Sequence, residues 1–240
     1  QANLNSFSRK ADVDVSEAFE AIINQNVQLL AQFLNRGVNL NSQIFDNETL
    51  LHCAISSHCV EAAKLLIDNG CYLDARTLNL QESPLHLAIQ EEQDEIVQML
   101  LDKGANIEIE NFEGETPIFS AIRAGNLKVA ELLISKKADI NKVNKGGNTP
   151  LHIALMLHQE EIGQLLIKNN VDVTKGEGNS YQMANQSYLS DIARSISGRK
   201  PDLAKEPLPS SFFGVFPLLE PLPLPEPDAL PNLVITIEGL

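Results

Sequence analysis

Apolar residues recur along the chain in blocks of about 33 residues. Each block has one apolar stretch around a small alanine and a second that is rich in leucine. The alanines are Ala54, Ala88, Ala121 and Ala154, and the second stretches include Leu65-Leu66-Ile67, Leu100-Leu101, Leu132-Leu133-Ile134 and Leu165-Leu166-Ile167. Apolar residues three or four apart lie on one face of a helix. Each block therefore predicts two short helices, and the small alanine allows the two to approach closely.

Polar residues mark where these helices begin and end. Ser83-Pro84, Thr116-Pro117 and Thr149-Pro150 precede the first helix of a block, and Thr49 holds the same place one block earlier. A Ser or Thr hydroxyl caps a helix start, and proline fits the first helical position because its missing N–H has no partner there. Gly37, Gly70 and Gly104 follow the second helix, where a left-handed residue is favoured; Lys137 and Asn170 replace glycine in the later blocks. Each block predicts a helix, a turn, an antiparallel helix and an extended loop.

Such helix pairs must stack to bury their apolar faces, which predicts a solenoid. The T-P-L-H tetrapeptides, the loop Gly104-Ala105-Asn106-Ile107 and the Leu-Leu-Ile stripe on this period resemble the ankyrin repeat family. The resemblance covers about residues 16–180 as five copies. They lie near 16–48, 49–82, 83–115, 116–148 and 149–180, between an N-terminal extension (1–15) and a degenerate cap (181–198), and a tail follows at 199–240.

The resemblance implies an all-α solenoid of helix-turn-helix units, with short β-hairpin loops along one edge of a concave face. His52, His86 and His152 occupy the histidine of the T-P-L-H turn and are expected to hydrogen-bond between neighbouring loops. Phe119 stands at this position in the fourth copy.

Charge narrows the choice of partners. The chain has 18 Lys and Arg against 32 Asp and Glu, a formal charge of −14, which argues against binding nucleic acid or an anionic membrane. No apolar run approaches the ~18–20 residues that span a bilayer, and no secretory signal is visible at the N-terminus. We expect an intracellular protein, cytoplasmic or nuclear, with reduced cysteines.

Candidate chemistry is sparse. In the second copy, His52-Cys53, His58-Cys59 and Cys71 suggest a metal cluster, but their spacing does not match the paired ligands of structural zinc. Packing of small thiols is the competing interpretation. No triad or phosphate loop is complete, so we expect no enzyme activity and no cofactor.

In the ankyrin family, non-consensus residues on the hairpin tips and inner helices bind partners. Here the candidates are Phe45, Leu78, Leu80 and Phe112 on the tips, and Gln90, Glu91, Arg123, Met156 and Leu157 on the inner helices. Exposed aromatics and leucines suit an apolar anchor, so the expected partner is another protein or a linear peptide with apolar and basic side chains. The alternative is that Phe45 and Phe112 fold back on neighbouring hairpins. The setting of Asn141 also resembles the hairpin asparagine that an asparaginyl hydroxylase modifies.

The tail differs in composition. Its prolines predict an extended or polyproline segment, without the PxxP spacing that SH3 domains bind. Its apolar residues are candidates for a binding segment: Phe212, Phe213, Phe216, Leu218, Leu219, Leu222 and Leu224. The tail is expected to bind a partner, or to dock on its own array or on a neighbouring chain.

The function that these features predict is non-catalytic scaffolding, in which a preformed surface captures a partner. Two alternatives are a targeting arm of a larger enzyme, channel or secreted bacterial effector, and a nuclear transcriptional co-regulator with an activation-type tail.

Overall fold

A computed structural model describes residues 14–186 and 189–200, and every regular element in that part of the chain is a short helix apart from a single β-bridge. The first helix, α1, covers residues 14–23. The others are α2 (Val27–Asn35), α3 (Leu50–Ser56), α4 (Val60–Asp68), α5 (Pro84–Gln90), α6 (Asp94–Asp102), α7 (Pro117–Arg123), α8 (Leu127–Ser135), α9 (Pro150–Met156), α10 (Glu160–Lys168), α11 (Ser180–Gln186) and α12 (Ser190–Arg199), with a 3₁₀ turn at Phe45–Asn47.

The helices pack in two rows. The odd-numbered row runs from α3 through α5, α7 and α9 to α11, each helix contacting the next; in the even-numbered row α2 contacts α4, α4 contacts α6, and α8 contacts α10, which contacts α12. We name the odd-numbered helices inner and the even-numbered helices outer, after the concave face that the resemblance implies. The predicted all-α repeat solenoid is confirmed.

The core lies between the rows. The four alanines of the repeat, Ala54, Ala88, Ala121 and Ala154, have no exposed surface, and neither do Leu66, Leu100, Leu133 and Leu166 on the outer helices. Full burial of a leucine side chain contributes roughly 1.5–3 kcal/mol. Since every copy repeats this contact, the core is continuous along the array.

The inner helices start as the sequence predicts, with one exception. The hydroxyls of Thr49, Ser83 and Thr149 accept the N–H of the histidine three residues later, and the ring of that histidine accepts the N–H of the capping residue. Thr116 makes no such bond, and its buried hydroxyl has no hydrogen-bond partner. Phe119 stands in place of the histidine there, so the fourth copy lacks the ring nitrogen that completes the other caps.

The outer helices end at left-handed residues. Gly104 has φ +88°, and Lys137 and Asn170 at the equivalent places have φ 72° and 62°. The prediction from the glycine positions is confirmed, and a lysine adopts the same backbone conformation.

The two ends of the array depart from the repeat. The first helix is already helical at residue 14, so Ser16 lies inside it. At the other end, the segment predicted as a degenerate cap forms two helices, α11 and α12. Gly163 of α10 lets α12 approach closely, because a Cβ there would lie 2.5 Å from Cδ1 of Ile192.

Candidate functional site

The loops between copies end in five tips that are bonded in series. We name them tip 1 (45–48), tip 2 (77–82), tip 3 (111–115), tip 4 (144–148) and tip 5 (174–178). In tips 2, 3 and 4 a backbone bond closes the hairpin: Thr77 N to Glu82 O (3.1 Å), Asn111 N to Glu115 O (3.0 Å) and Asn144 N to Asn148 O (2.9 Å). Each tip also donates to the one before it: Leu78 N to Asp46 O (2.8 Å), Phe112 N to Leu80 O (2.8 Å), Lys145 N to Glu113 O (2.9 Å) and Glu177 N to Gly147 O (2.6 Å). The tips therefore form one hydrogen-bonded row.

A second set of bonds joins the bases of the loops. One side-chain oxygen in each of four loops accepts a backbone N–H of the following loop. The pairs are Asn41 with Tyr72 (2.7 Å), Asp74 with Asn106 (2.8 Å), Glu108 with Asp139 (2.7 Å) and Asn141 with Asp172 (2.7 Å). The sequence analysis missed this set because its acceptors differ in residue type.

Buried histidines join two of the inner helices, α3 and α5, to the next loop. Nδ1 of His86 accepts the N–H of Ser83 at 3.3 Å, so its proton lies on Nε2, which donates to the Glu115 carbonyl oxygen at 3.1 Å. His52 makes the same contacts with Thr49 and with the Glu82 carbonyl oxygen. The loop contacts expected of these two histidines are present.

His152 bonds instead to the hydroxyl of Ser180 at 3.0 Å, and that hydroxyl donates to the Val173 carbonyl oxygen. Burial lowers the pKa of His86 and of His152 to about 4, and it also lowers the pKa of His52. All three rings are therefore neutral at pH 7.

The predicted tip residues that the structure describes remain outside the core. Leu78 is 64% exposed, Leu80 58% and Phe112 52%. Phe112 contacts the neighbouring hairpin on one face, since Nζ of Lys145 in tip 4 lies 4.7 Å from its ring centroid, and about half of its surface stays exposed. The side chain of Phe45 lies outside the described part. The hydrogen bond from Phe112 N to Leu80 O places the apolar residues of tips 2 and 3 side by side.

The predicted inner-helix residues are held by neighbours. The Gln90 amide donates to a Glu82 carboxylate oxygen at 2.5 Å, and Glu91 lies 3.0 Å from Nε2 of His58 in the preceding copy. Met156 is partly buried and Leu157 is exposed at the end of α9. These residues lie on the inner row of helices, and their binding to a partner stays a prediction.

Arg123 is paired within the chain. Its guanidinium donates to both carboxylate oxygens of Glu115, at 2.9 and 2.6 Å, and this hydrogen bonding raises the pKa of Arg123. The Glu115 side chain is 4% exposed and also accepts the Asn144 amide at 2.8 Å. Glu115 thus joins tip 3 to α7 and to tip 4, and its carbonyl oxygen accepts from His86.

The remaining predictions are only partly described. Asn141 is half-buried, and its side-chain oxygen is occupied by the Asp172 N–H; its hydroxylation stays a prediction. The tail residues from Phe212 to Leu224 lie outside the described residues.

The sequence analysis did not anticipate a groove of about 970 Å³ along the outer helices α6 and α8. Met99, Val129 and Leu132 line it. Two ion pairs bridge these helices, Lys128 with Asp94 (2.9 Å) and Lys136 with Asp102 (2.8 Å). Matching pairs join α4 to α6, Lys64 with Glu95 (2.7 Å) and Lys103 with Asp68 (2.9 Å).

Residues 14–186 and 189–200 contain no group of three or more His, Cys, Asp or Glu side chains arranged to hold a metal ion. Cys53, Cys59 and Cys71 are buried thiols, and burial raises the pKa of Cys71 to about 11. In the same part of the chain, no helix is long and apolar enough to cross a bilayer.

The comparison with protein families agrees with this architecture. The model for ankyrin repeats (three copies) matches residues 18–111 and 108–176, more than half of the chain. The chain belongs to the ankyrin repeat family. Family members generally mediate protein–protein interactions and are generally non-catalytic. The match covers the array from α1 to the loop after α10.

Individual relatives match shorter stretches of the array. BRCA1-associated RING domain protein 1 of Caenorhabditis elegans is 32% identical over 96 residues, 40% of this chain and 14% of that protein. The mouse B-cell lymphoma 3 protein homolog is 32% identical over 88 residues, 37% of this chain and 20% of that protein. Human Rabankyrin-5 is 35% identical over 79 residues, 28% of this chain and 7% of that protein. The matched segment is therefore a fifth or less of the length of each of these relatives.

Proposed function

We propose that this ankyrin array is a non-catalytic module that captures another protein or a linear peptide, with the apolar residues of tips 2 and 3 as anchors. The exposure of Leu78, Leu80 and Phe112 on two adjacent, hydrogen-bonded tips carries the proposal. Large apolar side chains that are exposed together typically mark interaction sites.

The row of tips suits this role because it is already ordered. Backbone bonds fix each tip to its neighbour, and buried histidines fix the tips to the inner helices. A preformed receptor loses little conformational entropy on binding, so more of the contact energy appears as affinity.

The inner helices extend the proposed surface. Gln90, Glu91, Met156 and Leu157 would contact the remainder of the partner, which carries apolar and basic side chains. Arg123 contributes less as a direct contact than the sequence suggests, because Glu115 already pairs with it.

Affinity capture tests the proposal. Wild-type protein and the double variant Leu78→Ser/Phe112→Ser are used as bait, and captured proteins are quantified by mass spectrometry. We expect the double variant to lose the main captured proteins, since an apolar anchor often contributes 2 kcal/mol or more, roughly 30-fold in affinity. The matched control is Ile23→Ser/Tyr72→Ser, which removes two side chains that are 60% and 57% exposed away from the tips. An unchanged set of captured proteins with the tip variant would refute the anchor role.

A second candidate is a targeting arm within a larger protein. The match covers only 7–20% of the three relatives described above, so their arrays are parts of longer chains. The mass of the native product decides between the two: a product much longer than 240 residues favours the arm.

The tail proposals concern residues outside the described part. The tail is proposed to dock on the array or a neighbouring chain, or to serve as an activation segment in the nucleus. Deletion of residues 201–240 tests docking, since a docked tail would compete with partners captured by the tips.

Loss of reporter transcription in Phe212→Ala/Phe213→Ala/Phe216→Ala would support the nuclear role.

A further inference from the structure

Charge is distributed unevenly along the row of tips. Tips 1, 2 and 3 contain the acidic residues Asp46, Glu48, Glu82, Glu113 and Glu115, and no Lys or Arg. Tip 4 contains Lys145 and no acidic residue, and tip 5 contains one of each, Lys175 and Glu177. The sign of the charge therefore changes between tip 3 and tip 4.

Most of the negative charge on tips 1–3 is not neutralised by a cation. Glu115 is neutralised by Arg123. Asp46 accepts only a backbone N–H, from Asn79, and Glu82 accepts the neutral Gln90 amide. The side chain of Glu113 is exposed.

Lys145 marks the boundary between the two charge zones. Its ammonium donates to the Phe112 carbonyl oxygen and lies over the Phe112 ring. A partner cation placed close to Lys145 would be repelled, whereas tips 1 and 2 themselves contain no Lys or Arg. The basic residue next to them, Arg76, precedes tip 2 and donates to the Glu110 carbonyl oxygen.

We infer that the partner crosses the tips in one orientation, with Lys or Arg flanking its apolar anchors over tips 1–3 and no excess positive charge over tips 4 and 5. This inference rests on the proposed function. The apolar part meets Leu78, Leu80 and Phe112, and the basic side chains meet Asp46, Glu82 and Glu113. Neighbouring copies lie about 8–10 Å apart, as packed helices do, and an extended chain rises about 3.3 Å per residue. Contacts on successive tips are thus made by peptide residues roughly three apart.

A random peptide library displayed on phage is the probe. Four baits are used: the wild-type chain, Leu78→Ser/Phe112→Ser, Asp46→Asn/Glu82→Gln/Glu113→Gln, and Glu61→Gln/Glu131→Gln/Glu161→Gln. The last is the matched control, because it removes three exposed carboxylates from the outer helices α4, α8 and α10. The Asn and Gln replacements keep the side-chain oxygens that accept from Asn79 and Gln90.

Peptides selected on the wild type are expected to combine apolar residues with Lys or Arg at one end. Peptides selected on Asp46→Asn/Glu82→Gln/Glu113→Gln should show no enrichment in Lys and Arg. This variant should also bind the peptides selected on the wild type about 1.5- to 5-fold more weakly per removed charge at low salt. The outer-helix control should behave as the wild type.

The outcomes separate the two proposals. If peptides bind equally to the Leu78→Ser/Phe112→Ser bait, the anchor role in the proposed function fails. If the wild type selects no peptide at all, the charge order is overturned, because no linear segment then binds along the tips. If selection depends on Leu78 and Phe112 but shows no basic bias, or a bias that the outer-helix control also loses, only the charge order is overturned.

Discussion

Single positions in the loops differ in how much room the fold leaves them. Gly104 and Gly176 both have φ +88°, but nothing lies within 4 Å of a Cβ built on Gly104. A Cβ on Gly176 would lie 2.8 Å from the Gly147 carbonyl oxygen and 2.8 Å from Cε1 of His152. Lys137, at a place equivalent to Gly104, shows that the open position accepts a side chain.

We expect Gly176→Ala to destabilise the protein more than Gly104→Ala. The Gly104 variant carries only the left-handed backbone cost, about 1–2 kcal/mol. The Gly176 variant adds a clash with backbone and a buried ring. Urea denaturation of both variants measures the free energy of unfolding. Equal losses of stability would show that tip 5 shifts to accommodate the added Cβ without cost.

At the scale of the helix, the caps decide how each inner helix begins. The sequence predicted the four hydroxyl caps from spacing alone, and three have the expected bond. Thr116 differs because its cap depends on the residue at position 119, where phenylalanine supplies packing but no nitrogen. A cap of this type therefore depends both on the hydroxyl residue and on the residue three positions later.

Valine replacements test this. Thr149→Val removes a bonded hydroxyl and should cost about 1 kcal/mol, within the usual range for lost caps. Thr116→Val removes a buried hydroxyl without a partner and should be neutral or stabilising. Valine keeps the branched shape of threonine in both variants, so the change in melting temperature reports the loss of the hydroxyl. An equal loss in the two variants would contradict the pairing of cap and histidine.

The sequence predicts some features of these elements and does not predict others. Periodicity and caps predicted the repeat frame and the loop glycines, and the resemblance to the ankyrin family placed Leu78, Leu80 and Phe112 on the tips. They did not give the Arg123–Glu115 pair, the loop-base acceptors such as Asn41, or the groove beside Met99. The loop-base acceptors and the groove join residues from different copies, so their partners follow from the stacking distance. Arg123 and Glu115 are only eight residues apart, the spacing of Gln90 and Glu82 one copy earlier, but the spacing alone does not show that tip 3 brings the two side chains together.

For the whole molecule, buried neutral histidines connect successive copies. His52 and His86 each reach from an inner helix to the following loop, and His152 reaches Ser180, the first residue of α11. In the fourth copy, the phenyl ring of Phe119 is fully buried at this position. Folding therefore favours the neutral form of these histidine rings.

Acid should therefore destabilise the array. The pKa of His86 and His152 falls from 6.5 unfolded to about 4 folded, so the unfolded chain takes up protons first. Their contribution is complete above pH 6.5 and is lost as the pH falls toward 4. The urea midpoint should drop between pH 7 and pH 4, and less steeply in His86→Phe, because Phe119 shows that this position accommodates a phenyl ring. An identical change of the urea midpoint with pH in His86→Phe would show that His86 does not contribute to the destabilisation by acid.

The oxygens of Asn41, Asp74, Glu108 and Asn141 each hold the backbone of the next loop and leave the tip side chains untouched. In the proposed function, the residues that set the spacing between copies therefore differ from those that contact the partner. Substitutions at Leu78, Phe112 or Glu113 can change the ligand while the spacing between tips is retained. The array can thus acquire a new partner one tip at a time, without a new scaffold.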